Sequence, residues 1–575
     1  MVQEVRRGLG IFALALAAAA AAPAQRVVIV SFDGLGHEFL TSTPTAELLG
    51  AFQRVRREGV TADGVQAHFP STTSNSHAAL FTGAYGNVSN ITANNLPRLP
   101  RAEHRFTDRG NGFRSDQLAA EPFWAAAARQ GKRAVAHQAT QAFPFRPVNT
   151  HPGAVVVNGY QTRLIAGWHA VELSGSPVEW EAGPWRFRAL LRGARAAVEE
   201  RTSGQRAEVR GYGAERAPPR RRALARRWSA GLFLDHPEHP VAVHFRLFRT
   251  ARGWLLLQSP LQELGLHDGQ RRNDEEVRRL LREQGGFFGN GAAALLRRGV
   301  LNEAQYLETA ELQMRQTLRH AFWLDRRYRP HLLQSYLPFP DEMDHEWLGR
   351  EGPWRAWAYL AVNRAAREFA RLAGPRDHLL FVSDHGMARI RAAVNINEAL
   401  RRAGLGEQAT HLYNSILLNT TGWRGGTVTP EQRGGVLARV RAALGQITDP
   451  DSGDRVVTAF FTPEEHGELY GIGGPAGADL YFDLLPGYRA VDRTEGGALT
   501  VRFEASAGAH GFDPLRRDML AICVGRGPRL PRGGQWPRLR SVQIAPLVTD
   551  LLGIQPPRDA RHPSPLALQP QPQAR

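Results

Sequence analysis

The chain has 575 residues, of which 42% are hydrophobic and 22% are charged, and it contains 58 glycines. This composition excludes a disordered polymer, a coiled coil and a collagen-like repeat. The formal net charge is +17, and almost every basic residue is an arginine, because Lys132 is the only lysine. A nucleic-acid surface usually mixes lysine with arginine and interleaves aromatic residues. We therefore predict no specific nucleic-acid partner, and the charge mildly favours anionic substrates or surfaces.

The N-terminus has the pattern of a secretory signal peptide. Two arginines precede an alanine-rich apolar run over residues 9–22, and small residues suited to cleavage follow it. The run is too short to span a bilayer. We expect residues 1–24 to be removed, leaving a periplasmic or secreted protein without a transmembrane anchor. The single cysteine, Cys523, excludes an intrachain disulfide.

Three runs have the composition of strands that are buried on both faces, as in parallel sheets. The first covers residues 26–32 and stops at Asp33; the second covers residues 332–337, shortly before Asp341. The third covers residues 379–383 and stops at Asp384 and His385. Residues 354–372, with apolar positions three or four apart, predict an amphipathic helix before the third strand. Helix followed by buried strand indicates an α/β fold.

Ligands of open α/β sheets bind beyond the carboxyl ends of the strands. Asp33, Asp341 and Asp384 should therefore converge at one edge of the sheet. His345 follows Asp341 by four residues, His385 is adjacent to Asp384, and a further histidine stands at 510 between small residues. Three aspartates and three histidines form a ligand set for two zinc-type ions.

A polar run from residue 70 enters an apolar helical segment after residue 77. Thr73 should lie at the helix N-terminus, where backbone N–H groups favour an anion. The alternative is that these serines and threonines are ordinary helix caps, and composition alone does not decide between the two.

Taken together, these motifs resemble the nucleotide pyrophosphatase/phosphodiesterase (type I phosphodiesterase) family of the alkaline phosphatase superfamily. The resemblance rests on motifs in the family order: Phe-Pro-x-x-Thr73-x-x-x-His77, Thr82-Gly83, Ala93-Asn94-Asn95, Pro340-Asp341-x-x-x-His345, Ser383-Asp384-His385-Gly386, His510-Gly-Phe-Asp and a closing helical segment over residues 544–553. It implies an α/β fold of the alkaline phosphatase type, with a mostly parallel central sheet flanked by helices and two inserted α+β subdomains.

The resemblance also implies a role for each matching residue. Thr73 would be the nucleophile and Asn94 would hydrogen-bond a phosphate oxygen, while His77 is interpreted as supporting or packing. One metal ion would be held by Asp33, Asp384, His385 and Thr73. The other would be held by Asp341, His345 and His510. The ions would be two divalent cations, zinc first and manganese second.

The predicted domain division follows these motifs: a signal peptide over residues 1–24, catalytic core over 25–151, an inserted α+β subdomain over 152–330, catalytic core with metal ligands over 331–396, a second, cap-like insertion over 397–504, the last part of the core over 505–556 and a disordered tail over 557–575.

Two departures from the family bear on the substrate. Nucleotide-cleaving members typically carry an aromatic residue directly after the nucleophile, where this chain has Ser74, and Ser76 stands where the family usually has asparagine. The sequence thus predicts phosphate-ester hydrolysis, and it leaves nucleotide specificity, the natural substrate and the oligomeric state open.

Other functions fit the pattern less well. A phosphomonoesterase of the same superfamily is the closest alternative, since the metal ligands are nearly identical. A sulfatase is disfavoured because its Cys/Ser-x-Pro-x-Arg signature is missing around Cys523. The signal peptide disfavours a phosphoglycerate mutase. A non-catalytic basic binder of anionic polymers is the alternative from another class, but an Asp/His-rich set beside a hydroxyl differs from a cysteine-rich structural zinc site.

Overall fold

The computed structural model describes residues 26–42, 44–213, 227–289, 291–350, 352–568 and 571–572. The predicted signal peptide and the arginine-rich stretch at 214–226 lie outside the described residues. No helix among those described is both long and apolar enough to cross a membrane.

The helices and strands follow in chain order. Residues 26–158 form the strands β1 (Val27–Phe32), β2 (Val60–Ala62), β3 (Val65–Gln66), β4 (Asn95–Pro97), β5 (Arg109–Asn111), β6 (Ala134–His137) and β7 (Ala154–Asn158). Their helices are α1 (His37–Thr41), α2 (Thr45–Leu48), α3 (Gly50–Glu58), α4 (Thr73–Thr82), α5 (Gly86–Ser89) and α6 (Phe123–Arg129).

Residues 159–330 are rich in β-structure and end in a long helix. Their strands are β8 (Leu164–Ala166), β9 (His169–Leu173), β10 (Val178–Ala182), β11 (Trp185–Arg192), β12 (Arg195–Glu200), β13 (Arg206–Gly213), β14 (Leu232–Leu234), β15 (Val241–Val243), β16 (Phe245–Thr250), β17 (Gly253–Gln258), β18 (Leu261–Gln262) and β19 (Gly265–His267). The helices are α7 (Asp274–Gln284), α8 (Ala293–Arg297) and α9 (Glu303–Tyr328).

The remaining chain returns to the α/β pattern on both sides of a smaller subregion. Its strands are β20 (Leu332–Leu337), β21 (His378–Val382), β22 (Ala388–Asn395), β23 (Ala409–His411), β24 (Ser415–Leu418), β25 (Val457–Phe461), β26 (Leu480–Leu484), β27 (Tyr488–Val491), β28 (Thr500–Ala509), β29 (Cys523–Arg526), β30 (Gly534–Trp536), β31 (Leu539–Arg540) and β32 (Gln571–Pro572). The helices are α10 (Asp341–Trp347), α11 (Pro353–Leu372), α12 (Ile396–Arg402), α13 (Pro430–Gly445), α14 (Pro463–Tyr470) and α15 (Ile544–Leu551).

A ten-stranded sheet lies at the centre, in the order β19-β7-β6-β20-β1-β21-β29-β2-β30-β32. The strands from β7 to β21 in this order run parallel. Alternate residues of β1 face two different apolar clusters, one packed with α3, α9 and α11 and the other with α4, α6 and α15. Burial on both faces explains the continuous apolar run of β1, and the predicted α/β fold with helices on both sides of the sheet is confirmed.

Three further sheets of three or more strands lie in and beside the regions predicted as insertions. A seven-stranded sheet, β10-β11-β12-β13-β16-β17-β9, has its own apolar core, and β22 to β28 surround another. Residues 557–568, for which the sequence predicts a disordered tail, pack on the main body: the backbone N–H of Arg558 donates to Glu121, and Leu566 and Leu568 lie against the core. The domain limits themselves stay a prediction.

Candidate active site

The candidate site lies where β20, β1 and β21, three neighbouring parallel strands, end. Asp33 follows β1, Asp341 begins α10 just beyond β20, and Asp384 comes two residues after β21. Asp33 is followed by a sharp turn at Gly34, whose φ is +69° and where a Cβ atom would lie 2.8 Å from the Cβ of Asp341. Glycine is therefore required for these two carboxylates to approach each other.

The predicted ligands form two clusters of three. Asp33, Asp384 and His385 make one, and Asp341, His345 and His510 make the other; in each, potential ligand atoms lie within 4.8 Å of one another. The two clusters adjoin, because the rings of His385 and His510 stack with centroids 3.9 Å apart. Residues separated by up to 477 positions in the chain are thus brought to one place.

The three histidines are oriented in the same way. Each Nδ1 pairs with a backbone carbonyl: His385 with Gly386 at 2.9 Å, His345 with Gly508 at 3.0 Å and His510 with Ser71 at 2.9 Å. An Nδ1–H that donates to a carbonyl leaves the Nε2 lone pair for a metal ion, as is usual for histidines that bind metals in proteins.

The carboxylates face these Nε2 atoms. Nε2 of His385 lies 3.1 Å from Asp384 and 3.5 Å from Asp33, and Nε2 of His345 lies 3.3 Å from Asp341. One oxygen each of Asp33 and Asp341, Oδ1 in both, is buried without a hydrogen-bond partner among the described residues. Buried, unpaired carboxylate oxygens beside imidazole lone pairs are costly without a cation, so the residues present fit divalent metal ions.

Crowding of acidic groups separates the pKa values of the aspartates. Burial, together with the charges of Asp384 and Asp341, raises the pKa of Asp33 well above its usual range. Burial acts in the same direction on Asp341, but His345 and His510 outweigh it and lower its pKa to about 2. Such divergent pKa values are typical of functional sites.

Thr73 is the first residue of α4, as predicted, and its Oγ1 lies 3.2 Å from His385 Nε2. The helix-cap interpretation places the capping hydroxyl on Thr72, but no side chain caps α4, because the Thr72 hydroxyl pairs with Asn75 instead. Thr73 is 5% exposed, so its hydroxyl stands at a helix N-terminus in contact with the first cluster. This geometry favours an anion beside it.

Asn94 lies on the same side of the site. Its Oδ1 accepts a hydrogen bond of 2.8 Å from the backbone N–H of Ser74. The orientation leaves the amide nitrogen as a donor. All the predicted site residues are therefore brought together.

Two supporting residues lie beneath the ligands. His77 is fully buried; its Nδ1 lies 2.9 Å from the Thr73 carbonyl oxygen and 3.2 Å from Asp384 Oδ2, and its Nε2 pairs with Ser31. The Tyr336 hydroxyl donates to Asp33 Oδ2 at 2.6 Å. Sequence reasoning missed Tyr336, although Ser31 and Tyr336 are polar positions in buried strands that lead into the site, and this could have indicated a role for them.

The fold and the paired Asp/His clusters define a phosphoric ester hydrolase of the alkaline phosphatase type. The sequence pattern of the family "Type I phosphodiesterase / nucleotide pyrophosphatase" matches residues 27–207 and 260–513. The chain belongs to this family.

Solved structures of similar fold come from the same family. Human ectonucleotide pyrophosphatase/phosphodiesterase 5 is 14% identical with a TM-score of 0.51, and the match covers 92% of this chain and 96% of the human one. The murine protein, as an inactive threonine-to-alanine variant in complex with AMP, is 13% identical with a TM-score of 0.51 and the same coverage. No curated protein sequence is significantly similar to the chain.

Proposed function

We propose that the protein is an exported, metal-dependent phosphodiesterase that cleaves small phosphate esters through a phosphothreonine intermediate on Thr73. The observation that carries this proposal is the position of the Thr73 hydroxyl, 3.2 Å from His385 and at the N-terminus of α4. Family membership supports the class of reaction. The inactivity of the murine threonine-to-alanine variant agrees with a threonine nucleophile.

The metal ligands are assigned by cluster. Asp33, Asp384 and His385, with Thr73, would hold one divalent cation, and Asp341, His345 and His510 the other. Bound there, such cations supply charge neutralisation and a lowered pKa for a coordinated hydroxyl. The mixed imidazole and carboxylate donors favour zinc, with manganese as the second choice.

Residues of the chain supply the nucleophile and stabilise the charge on the phosphate. Thr73 Oγ1 forms a bond to phosphorus and passes its proton to water, while the bond to the leaving oxygen breaks and that oxygen takes the electron pair. The N-terminus of α4 and the Asn94 amide stabilise the charge on the non-bridging oxygens. A water molecule then attacks the phosphorus, and Thr73 departs and regains a proton.

Thr73→Ala tests the proposal, with Ser76→Ala as the matched control. Ser76 is also a fully buried hydroxyl residue on α4, and its Oγ has no hydrogen-bond partner among the described residues. With zinc present, we expect hydrolysis of bis-p-nitrophenyl phosphate to vanish in Thr73→Ala and to persist in Ser76→Ala. Acid quenching of the wild-type reaction should trap phosphate on the peptide that contains Thr73, as mass spectrometry can detect.

The rates on two substrates separate the alternatives. Faster hydrolysis of bis-p-nitrophenyl phosphate than of p-nitrophenyl phosphate supports a phosphodiesterase, and the reverse order identifies a phosphomonoesterase with the same nucleophile. If Thr73→Ala retains wild-type activity on both substrates, the proposed mechanism is wrong. Export is tested separately: the N-terminus of the mature protein should lie near Gln25.

A further inference from the structure

A cavity of about 710 Å³ adjoins the proposed active site on the side of Asn94. It lies between the β4–β5 hairpin and loops of the second predicted insertion. Asn95 and Arg109 come from the hairpin, and Tyr413 and Arg493 from the loops after β23 and β27. The cavity is thus shared between the core and the region predicted as a cap.

Tyr413 connects the cavity with the phosphate position. Its side chain hydrogen-bonds with the side chain of Asn94 and the backbone of Asn95, and Asn94 in turn binds the backbone N–H beside Thr73. Tyr413 has a φ of +53°, a left-handed conformation that is costly for an aromatic residue and that clusters at ligand-binding positions. Tyr413 thus both lines the cavity and contacts the side chain that is proposed to bind the phosphate.

Ser74, by contrast, offers no binding surface. It is fully buried, and a Cβ atom built on Gly112 would lie 2.6 Å from its Oγ. Gln141 closes the same space by donating to the carbonyl oxygens of Ser74 and Gly112 at 3.0 and 2.6 Å. Recognition of the substrate next to Thr73 must come from elsewhere.

The charges of the cavity favour an anion. Its lining includes two guanidinium groups, Arg109 and Arg493, but one carboxylate, Asp492. Asp492 lies 2.9 Å from His411 and also interacts with both arginines, so these three charged groups leave one net positive charge. The cavity therefore has an excess of positive charge, and guanidinium groups are well suited to phosphate oxygens.

We propose that this cavity binds the ester group that remains on Thr73 after the leaving group departs, and that it selects a group carrying a second phosphate. In an in-line displacement the leaving group lies on the side of the phosphorus opposite the nucleophile. Asn94 instead contacts the residue next to Thr73. We therefore infer that the cavity beside Asn94 adjoins a substituent that stays on the phosphorus. This inference rests on the proposed function. The inference predicts that the preferred substrate is a phosphodiester in which the group that remains after the leaving group departs carries a second phosphate.

A matched pair of substrates tests it: thymidine 5′-(p-nitrophenyl phosphate) and the same ester carrying a 3′-phosphate. Charge-assisted hydrogen bonds contribute about 1.5–3 kcal/mol, so we expect the 3′-phosphate to raise kcat/KM by about tenfold to 150-fold. The double variant Arg109→Gln/Arg493→Gln should abolish the difference in kcat/KM between the two esters. Arg98→Gln, an exposed arginine on the same hairpin, should preserve the difference.

A binding experiment separates this inference from the proposed function. Calorimetry on the Thr73→Ala protein with zinc should show tighter binding of thymidine 3′,5′-bisphosphate than of thymidine 5′-monophosphate, and Arg109→Gln/Arg493→Gln added to it should remove the difference. Equal affinities of the two nucleotides, or a difference that survives in the double variant, would overturn the anion subsite. Absence of Thr73-dependent hydrolysis would overturn the proposed function, while the binding result stands by itself.

Discussion

Replacing Tyr336 with phenylalanine should weaken metal binding without disturbing any proposed ligand directly. The substitution removes the hydroxyl that donates to Asp33 Oδ2 at 2.6 Å in a site where Tyr336 is 1% exposed. A hydrogen bond to a charged group is worth about 1.5–3 kcal/mol, which corresponds to about tenfold to 150-fold in an equilibrium constant. Changes to groups that support metal ligands commonly reduce affinity by a factor of about 10–100.

The chain offers a matched control in Tyr359. Its hydroxyl donates to Asp344 Oδ2, also at 2.6 Å, and it too is 1% exposed. Asp344 lies on α10 but is not a proposed ligand, and it is also paired with Arg355 at 2.9 Å. Tyr359→Phe thus removes an equivalent buried hydrogen bond to a carboxylate that is not a proposed ligand.

Competition with a chromogenic zinc chelator measures the effect. We expect the dissociation constant for zinc to be about tenfold to 150-fold higher in Tyr336→Phe than in the wild type. The dissociation constant of Tyr359→Phe should equal that of the wild type. Thermal unfolding of both metal-free variants checks that their stabilities are comparable. If the two variants release zinc alike, the Tyr336 hydroxyl does not support a metal ligand, and our interpretation of Asp33 is wrong.

Three further predictions concern the ligands, the metal and the inserted sheet. His345→Ala should lower zinc content and hydrolysis together, as metal analysis of the purified variant can show; an unchanged zinc content would place that ligand elsewhere. Prolonged incubation with EDTA should abolish hydrolysis and added zinc should restore it, whereas full activity in excess chelator would contradict metal dependence. Glu308→Gln should reduce the free energy of unfolding, measured by urea titration, by about 3–5 kcal/mol, because the buried guanidinium of Arg246 loses its charge partner. Arg246 is 0% exposed, and its Nε lies 2.7 Å from Glu308. Glu181→Gln, which breaks the exposed pair with Arg186, should cost less than about 1 kcal/mol, and equal losses in both variants would refute the argument from burial.

The sequence was sufficient to predict helices and strands that depend on the pattern of neighbouring residues. The strand predicted at residues 332–337 matches the structure to the residue, and all six of its residues are buried. The helix predicted at 354–372 begins one residue earlier, at Pro353, a residue well suited to a first helical turn. Asp33 and Asp384 could be expected to meet because strand ends of a parallel sheet share an edge.

Features that depend on distant contacts could not be predicted in this way. Tyr336 pairs with a residue 303 positions away, and no local pattern indicates such a partner. His510 follows no strand or helix that the sequence predicts, so its inclusion in the ligand set depends on its residue type, its small neighbours and the family resemblance. The cavity beside Tyr413 arises from the packing of two separate regions, and its arginines resemble any of the solvated arginines of this chain.

The backbone anchors of His345, His385 and His510 have a consequence for metal exchange. Because each of the three rings pairs with a backbone carbonyl, the orientation of the rings does not depend on a metal ion alone. Loss of metal should leave the ligands in place, unlike a zinc finger, which unfolds without its ion. The enzyme should then withstand metal scarcity as an intact apoprotein that regains activity when metal returns.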